Sequence, residues 1–445
     1  MKILFISLGC DKNLADSEEM LGLLTGSGHE IVDSEEDADA IVINTCCFIH
    51  DAKEESVNTI LEMAEYKKTG KCKALIVTGC MAQRYKEEIT QEIPEVDAVL
   101  GTTSYGDIVK ALNEAQAGHV FQEFRDINEL PEDSGRRVLT TGGHFGYLKI
   151  AEGCDKHCTY CIIPSLRGKF RSVPEERLLA QAEYMASQGV KELILVAQET
   201  TVYGTDLYGK KTLHILLKKL CQIKGIRWIR VLYCYPEEIY DELIQVMKEE
   251  KKICNYLDLP IQHASDRILK RMGRRTTRKQ LEDIIAKLRR EIPDIVLRTS
   301  LITGFPGETQ EDHEELMEFV DEMEFDRLGV FTYSPEEGTP AETMEGQVPE
   351  EVKEERRDEL MSLQQEISLE KGDERIGQEL LVMIEGKVSG ESAYIARTYA
   401  DAPKVDGYIF VQTGELLVTG DFARVRVTGA LEYDLIGELA DEFTE

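Results

Sequence analysis

Long apolar runs are missing from this chain of 445 residues. None approaches the roughly 18 consecutive apolar residues of a membrane helix, so a span of that kind is excluded. The opening MKILFISLGC carries one lysine, only a short apolar stretch from Ile3 to Leu8 and an acidic continuation. It reads as a buried first strand rather than an export signal. Positive charge is in deficit, with 52 Lys and Arg against 84 Asp and Glu and a net charge of −32. A surface of this sign repels phosphate backbones and favours a basic partner, or simply keeps the chain soluble. Direct nucleic-acid binding and membrane association are therefore not expected. Cysteine, by contrast, is plentiful, at eleven residues. Without an export signal the expected location is the cytoplasm, where cysteines serve as metal ligands or small buried side chains rather than as disulfides.

Three N-terminal stretches align on a cysteine: FISLGC ending at Cys10, IVINTC at Cys46 and LIVTGC at Cys80. Each is a short apolar run followed by a helix-like segment, and the separations of 36 and 34 residues suit strand–helix units of a parallel sheet. The carboxyl ends of such strands share one edge, so three thiolates converge there. The alignment separates the doublet Cys46–Cys47: Cys46 is the expected ligand and Cys47 a small buried filler. Three thiolates suit zinc or an iron–sulfur cluster with one open iron, although no fourth ligand for zinc is apparent nearby.

Residues 119–143, with ELPEDSG and TTGGHFG, read as a linker. Beyond it a strand leads into GCDKHCTYC, where Cys154, Cys158 and Cys161 fall within eight residues. The C-x3-C-x2-C spacing supplies three of the four ligands that a closed 4Fe-4S cluster needs. It is the signature of the radical S-adenosylmethionine (SAM) superfamily, in which SAM binds the remaining iron. His157 is adjacent to Cys158 and poorly placed to complete a zinc tetrahedron. Strand-like runs at KELILVAQ, RWIRVLY, NYLDLP, DIVLRTSLIT and FDRLGVFTY bring the count to six β/α units, an open partial barrel. Barrel chemistry sits at strand carboxyl ends. There the chain places Gln198 and Glu199, Gln262 and His263, and Gly304, which are candidates for holding SAM. Arg298, inside its strand, suits the SAM carboxylate and a core acid equally well.

A charged amphipathic helix over 349–374, with Val352, Leu360, Leu363 and Ile367 as its packing face, precedes five short strands with glycine-containing turns. The strands suggest a small antiparallel β-barrel over 375–442. From Asp373 to Glu445 there are 15 acidic and 6 basic residues, a net of −9. That sign disfavours RNA and favours a basic protein.

The stretches SLGCDKNLADSE, NTCCFIHDAKEES and GCDKHCTYCIIPSLRGKFRS make the chain resemble the methylthiotransferases of the radical-SAM superfamily over essentially its whole length. It is more similar to the branch acting on ribosomal protein uS12 than to the tRNA-modifying branches, which typically carry an arginine-containing segment where this chain has FIHDAKEES. The resemblance implies three domains: a methylthiotransferase domain over 1–118, a radical-SAM domain over 144–348 and a TRAM domain over 375–442. It implies a 4Fe-4S cluster on Cys154, Cys158 and Cys161 that cleaves SAM to a 5'-deoxyadenosyl radical. An auxiliary 4Fe-4S cluster on Cys10, Cys46 and Cys80 would carry the sulfur. A first SAM methylates that sulfur, and a second supplies the radical that takes hydrogen from the β-carbon of a uS12 aspartate. Implied partners are uS12 and an electron donor such as flavodoxin or ferredoxin. The alternatives are the same chemistry on a tRNA adenosine and a non-catalytic, metal-stabilised RNA- or protein-binding scaffold. Cys47 departs from the family pattern, which has a small residue at that position.

Overall fold

The structure, a computed structural model, describes residues 1–132 and 135–440. Asp133 and Ser134 of the expected linker, and residues 441–442 of the expected last domain, lie outside the described residues.

Strands β1 (Lys2–Ser7), β2 (Glu30–Val32), β3 (Ala40–Thr45), β4 (Ala74–Gly79), β5 (Ala98–Leu100) and β6 (Phe121–Glu123) form one sheet in the order β2-β1-β3-β4-β5-β6. Every pairing in it is parallel. The all-buried runs AIVINT and ALIVTG are typical of a sheet covered on both faces.

A second parallel sheet orders β14-β13-β12-β11-β10-β7, from β7 (Phe145–Lys149), β10 (Glu192–Val196), β11 (Trp228–Val231), β12 (Ile253–Asp258), β13 (Val296–Thr303) and β14 (Arg327–Thr332). Between β7 and β10, the short strands β8 (Ala151–Glu152) and β9 (Arg171–Ser172) make a ribbon around the Cys154–Cys161 loop. This is the expected six-stranded open barrel. Side chains alternate along its strands. Leu193 and Leu195 face the helices in the large outer core, while Phe145, Tyr147, Ile194 and Val196 face inward.

The inward cluster is completed by Met383, Ala400, Ala402 and Phe422 from the last domain. That domain is a closed barrel of β15 (Glu379–Lys387), β16 (Ala393–Thr398), β17 (Ile409–Gln412), β18 (Phe422–Ala430) and β19 (Leu435–Leu439), ordered β15-β16-β17-β19-β18. One pairing, β17 with β19, is parallel, so the barrel is mixed rather than wholly antiparallel. It meets Phe145, Glu192, Trp228 and Val296, the first residues of their strands. Arg397 bonds Glu192, which also holds Arg230, all three fully buried. The barrel therefore closes the amino-terminal end of the partial barrel and leaves the carboxyl end open to the N-terminal domain.

The connecting helix, Glu350–Asp373, buries Leu360 and Ile367 as expected, while Val352 and Leu363 are half-buried. Polar groups share its packing face: Arg356 pairs with Glu308, and Gln364 donates to the Phe325 carbonyl at 2.9 Å.

Candidate functional site

The three N-terminal cysteines follow β1, β3 and β4. Thr45 pairs with Gly79, so Cys46 and Cys80 leave their strands level with each other. Ser7 pairs with Asn44, which places Gly9 rather than Cys10 level with Cys46. The one-residue offset is absorbed at Gly9. Its φ of +85° belongs to the left-handed region, and a Cβ there would stand 2.7 Å from Cys46 Cβ. Cys10 then caps the helix Asp11–Gly26, and Cys80 opens the helix Cys80–Tyr85.

Hydrogen bonds fix these strand ends. The Asn13 amide donates to the Leu8 and Thr45 carbonyls, at 3.1 and 2.9 Å, tying β1 to β3. The Ser56 hydroxyl accepts from Cys46 N and donates to Cys46 O, clamping that residue's backbone. Arg167, the last residue of the short helix Ile163–Arg167 after Cys161, donates to Cys80 Sγ at 3.5 Å and to Asn13 Oδ1, and pairs with Asp16 at 2.8 Å and Glu152. Burial and the neighbouring Cys80 push the Cys46 thiol up to about 12. Burial pushes Cys80 upward too, with Cys10 adding in the same direction, so the three sulfurs lie within each other's electrostatic reach. Cys47 is fully buried and packs in the apolar cluster with Ile43, Ile60 and Val77, yet it too lies within electrostatic reach of Cys46 and Cys80, beside Arg84.

In the central loop, Cys154 N donates to the Gly168 carbonyl, Cys161 N to the Cys158 carbonyl, and Thr159 N to the Met272 carbonyl, all within 3.1 Å. Gly153, at φ +76°, lies so close to the Lys169 carbonyl that a Cβ would stand 2.1 Å from it. Burial lifts Cys154 to about 11 and Cys161 to about 12. Such thiols hold their protons until a metal replaces them. Tyr235 places its hydroxyl 3.8 Å from Cys158 Sγ, with Arg274 stacked on its ring at 4.3 Å.

Among the described residues, no three His, Cys, Asp or Glu side chains are drawn close enough to hold one metal ion. A cluster makes a different demand, because each thiolate binds its own iron at a corner of the cube.

The strand-end candidates divide. Gln198 Oε1 and Glu199 Oε2 are buried without hydrogen-bond partners. Glu199 Oε1 accepts from Thr201 and from Tyr235 N, and burial lifts its carboxyl to about 7. Gln262 is held at φ +73° and bridges to Leu301. His263 is fully buried, with Nδ1 accepting from Ser265 N and Nε2 facing the Glu308 carboxylate at 3.6 Å. Arg298 pairs with Asp258 at 2.8 Å and Asp406 at 3.4 Å, the core-acid option. Gly304 touches the Lys353 stem, 2.1 Å from where its Cβ would stand, so a close packing contact occupies that position. The sequence reading did not single out Asn13, Arg167 or Tyr235. Arg167 stands within the quoted IPSLRGKF stretch, yet its reach to Cys80 depends on how the domains dock.

Three family models match in chain order: Uncharacterized protein family UPF0004 over 2–101, the Radical SAM superfamily over 148–320 and the TRAM domain over 376–440. A ribosomal protein uS12 methylthiotransferase RimO from Lachnoclostridium phytofermentans is 64% identical, covering 98% of this chain and 99% of that protein. The chain belongs to the RimO family. A second RimO, from Pelotomaculum thermopropionicum, is 51% identical over 98% of this chain and 99% of its own length. Among solved structures, the radical SAM methyltransferase TsrM of Kitasatospora setae aligns with a TM-score of 0.55 at 12% identity, over 77% of each chain. The cobalamin-dependent OxsB aligns at 0.51 and 16% identity, over 82% of this chain and 56% of that one. At these identities the likeness is one of fold. No helix among the described residues is long and apolar enough to cross a membrane. The groups a RimO-family protein implies fit the residues present. Each triad offers three thiols with mutual electrostatic reach, and Glu199, whose Oε2 is unpartnered, lies within reach of Cys154.

Proposed function

We propose that the chain is a radical-SAM methylthiotransferase that places a methylthio group on the β-carbon of an aspartate of ribosomal protein uS12. Full-length identity of 64% to a RimO carries this reading. Cys154, Cys158 and Cys161 would hold the cluster that binds SAM, and Cys10, Cys46 and Cys80 the auxiliary cluster. When bound, these groups supply a reducing electron, a carbon radical able to take an unactivated hydrogen, and a carried sulfur. The chain's own residues position and shield. Glu199, half-protonated near neutral pH, and Gln198 offer acceptors to the SAM ammonium. Tyr235 and Arg274 wall the Cys158 side of the loop. Arg167 locks the segment after Cys161 to the thiol edge of the N-terminal sheet, so the two sites keep a fixed separation. An external one-electron donor, such as a flavodoxin or ferredoxin, is required. The unit from 1–118 would serve the auxiliary cluster, and 144–348 the radical chemistry.

Anaerobic reconstitution is the decisive test: about eight irons per chain are expected for two clusters, with methylthio-aspartate appearing on uS12 by mass spectrometry. A methylthio mark on tRNA with uS12 unchanged would overturn the substrate. Zinc without iron or SAM cleavage would overturn the chemistry.

A further inference from the structure

Lys12 lies two residues beyond Cys10 in the helix Asp11–Gly26, and is 8% exposed. Among the described residues it forms no ion pair with a carboxylate, although the chain carries 84 acidic residues. Its neighbour Asp11 lies within electrostatic reach of Lys12 and of the Tyr147 hydroxyl but forms no ion pair with the lysine. Adjacent helix residues do not face each other. The Lys12 ammonium rests on the ring of Tyr233, 3.3 Å from the centroid. An aromatic face steadies a cation but satisfies none of its directional donors. A mostly buried ammonium held against a tyrosine still has donors to offer, and a carboxylate that reaches it is the group that best uses them.

Tyr233 is itself unusual. It follows β11 with φ +59°, a conformation that bulky residues rarely take and that persists where the surroundings enforce it. Two residues on, Tyr235 reaches Cys158. The Lys12–Tyr233 pair thus stands at the junction of the two sheets' carboxyl ends, with Cys10 on one side and the Cys158 loop on the other. An aspartate's carboxylate is one bond from its β-carbon, so whatever grips that carboxylate places the carbon.

We propose that Lys12, backed by Tyr233, binds the side-chain carboxylate of the substrate aspartate and holds its β-carbon between the two thiol triads. This rests on the uS12 reading above.

The test uses the reconstituted full-length chain, uS12, and uS12 carrying asparagine at the modified position, with binding followed by fluorescence anisotropy. A buried, charge-assisted hydrogen bond predicts that the wild type binds the aspartate form about 10- to 100-fold more tightly. Lys12→Met should bring that ratio to about one. Lys12→Met that keeps the preference would overturn the proposal and leave the lysine as a counter-charge to the thiolates. Equal wild-type affinity for the two forms overturns it without any variant, so a misfolded Lys12→Met, seen by circular dichroism, does not remove the test. A wild type that methylthiolates no uS12 at all overturns the underlying reading. That outcome differs from a wild type that modifies uS12 yet binds both forms alike.

Discussion

The two thiol triads are built by opposite means. Cys154, Cys158 and Cys161 share one loop, and its turns set their spacing. Cys10, Cys46 and Cys80 come from three strand ends that meet only when β1, β3 and β4 are in register. Their polar surroundings differ as well. Around the N-terminal triad Asn13, Ser56 and Arg167 are all partnered, whereas beside the central triad Gln198 Oε1 and Glu199 Oε2 are not. The named polar groups of the first site are spent on holding its strand ends, with Cys10 exposed, whereas the second keeps free acceptors that suit a polar small molecule.

The largest effects should come from the cysteines themselves. Cys158→Ala should abolish SAM cleavage. Cys46→Ala should abolish methylthio transfer while SAM is still cleaved, and each variant should retain about four of about eight irons. Cys47→Ala should keep both clusters, because its side chain packs among aliphatic residues. Loss of the auxiliary cluster in Cys47→Ala would shift the strand-end alignment by one residue and break the comparison.

Arg167 tests whether the two sites are independent. It is buried among Asp16, Glu152, Asn13 and Cys80, and so bridges the domains. Arg167→Met removes one of the two cations that hold Asp16 and Glu152, Lys149 remaining on both, so the loss in chemical denaturation should be about 1–3 kcal/mol. It also removes a donor to the Cys80 sulfur, which, if Cys80 holds the proposed auxiliary cluster, should lower that cluster's reduction potential in a potentiometric titration. An unchanged potential would mean that the guanidinium serves docking alone.

The same contrast explains what could be read from the residues. The central triad is legible because its spacing is local, and the strand periodicity gave both parallel sheets and the small barrel. The N-terminal triad was legible only through a repeated strand ending, and Cys10 is out of ladder register by one residue, a slip that alignment on cysteine conceals and Gly9 absorbs. Arg298 stayed open because its two partners, Asp258 and Asp406, lie 40 and 108 positions away in the chain. The closeness of Arg167 to Cys80 and of Lys12 to Tyr233 arises from domain docking, which leaves no periodic trace. The parallel β17–β19 pairing likewise follows from barrel closure rather than from strand alternation.

The smallest effect concerns the open site. Burial raises the Glu199 carboxyl from 4.5 to about 7, outweighing the Thr201 hydrogen bond and the pull of Lys156. Between those two pH values the folded, ligand-free chain retains a proton that the unfolded chain has released. Glu199 therefore supports stability at low pH, and that support is lost as pH rises through about 7. Glu199→Gln is neutral in both states and lacks this dependence. The melting temperature of the wild type relative to Glu199→Gln should fall as pH rises across the window. SAM, whose ammonium favours the ionised carboxylate, should diminish that fall. A difference that stays constant with pH would mean that Glu199 is already paired, and the central site would then have its polar groups spent as fully as its N-terminal counterpart.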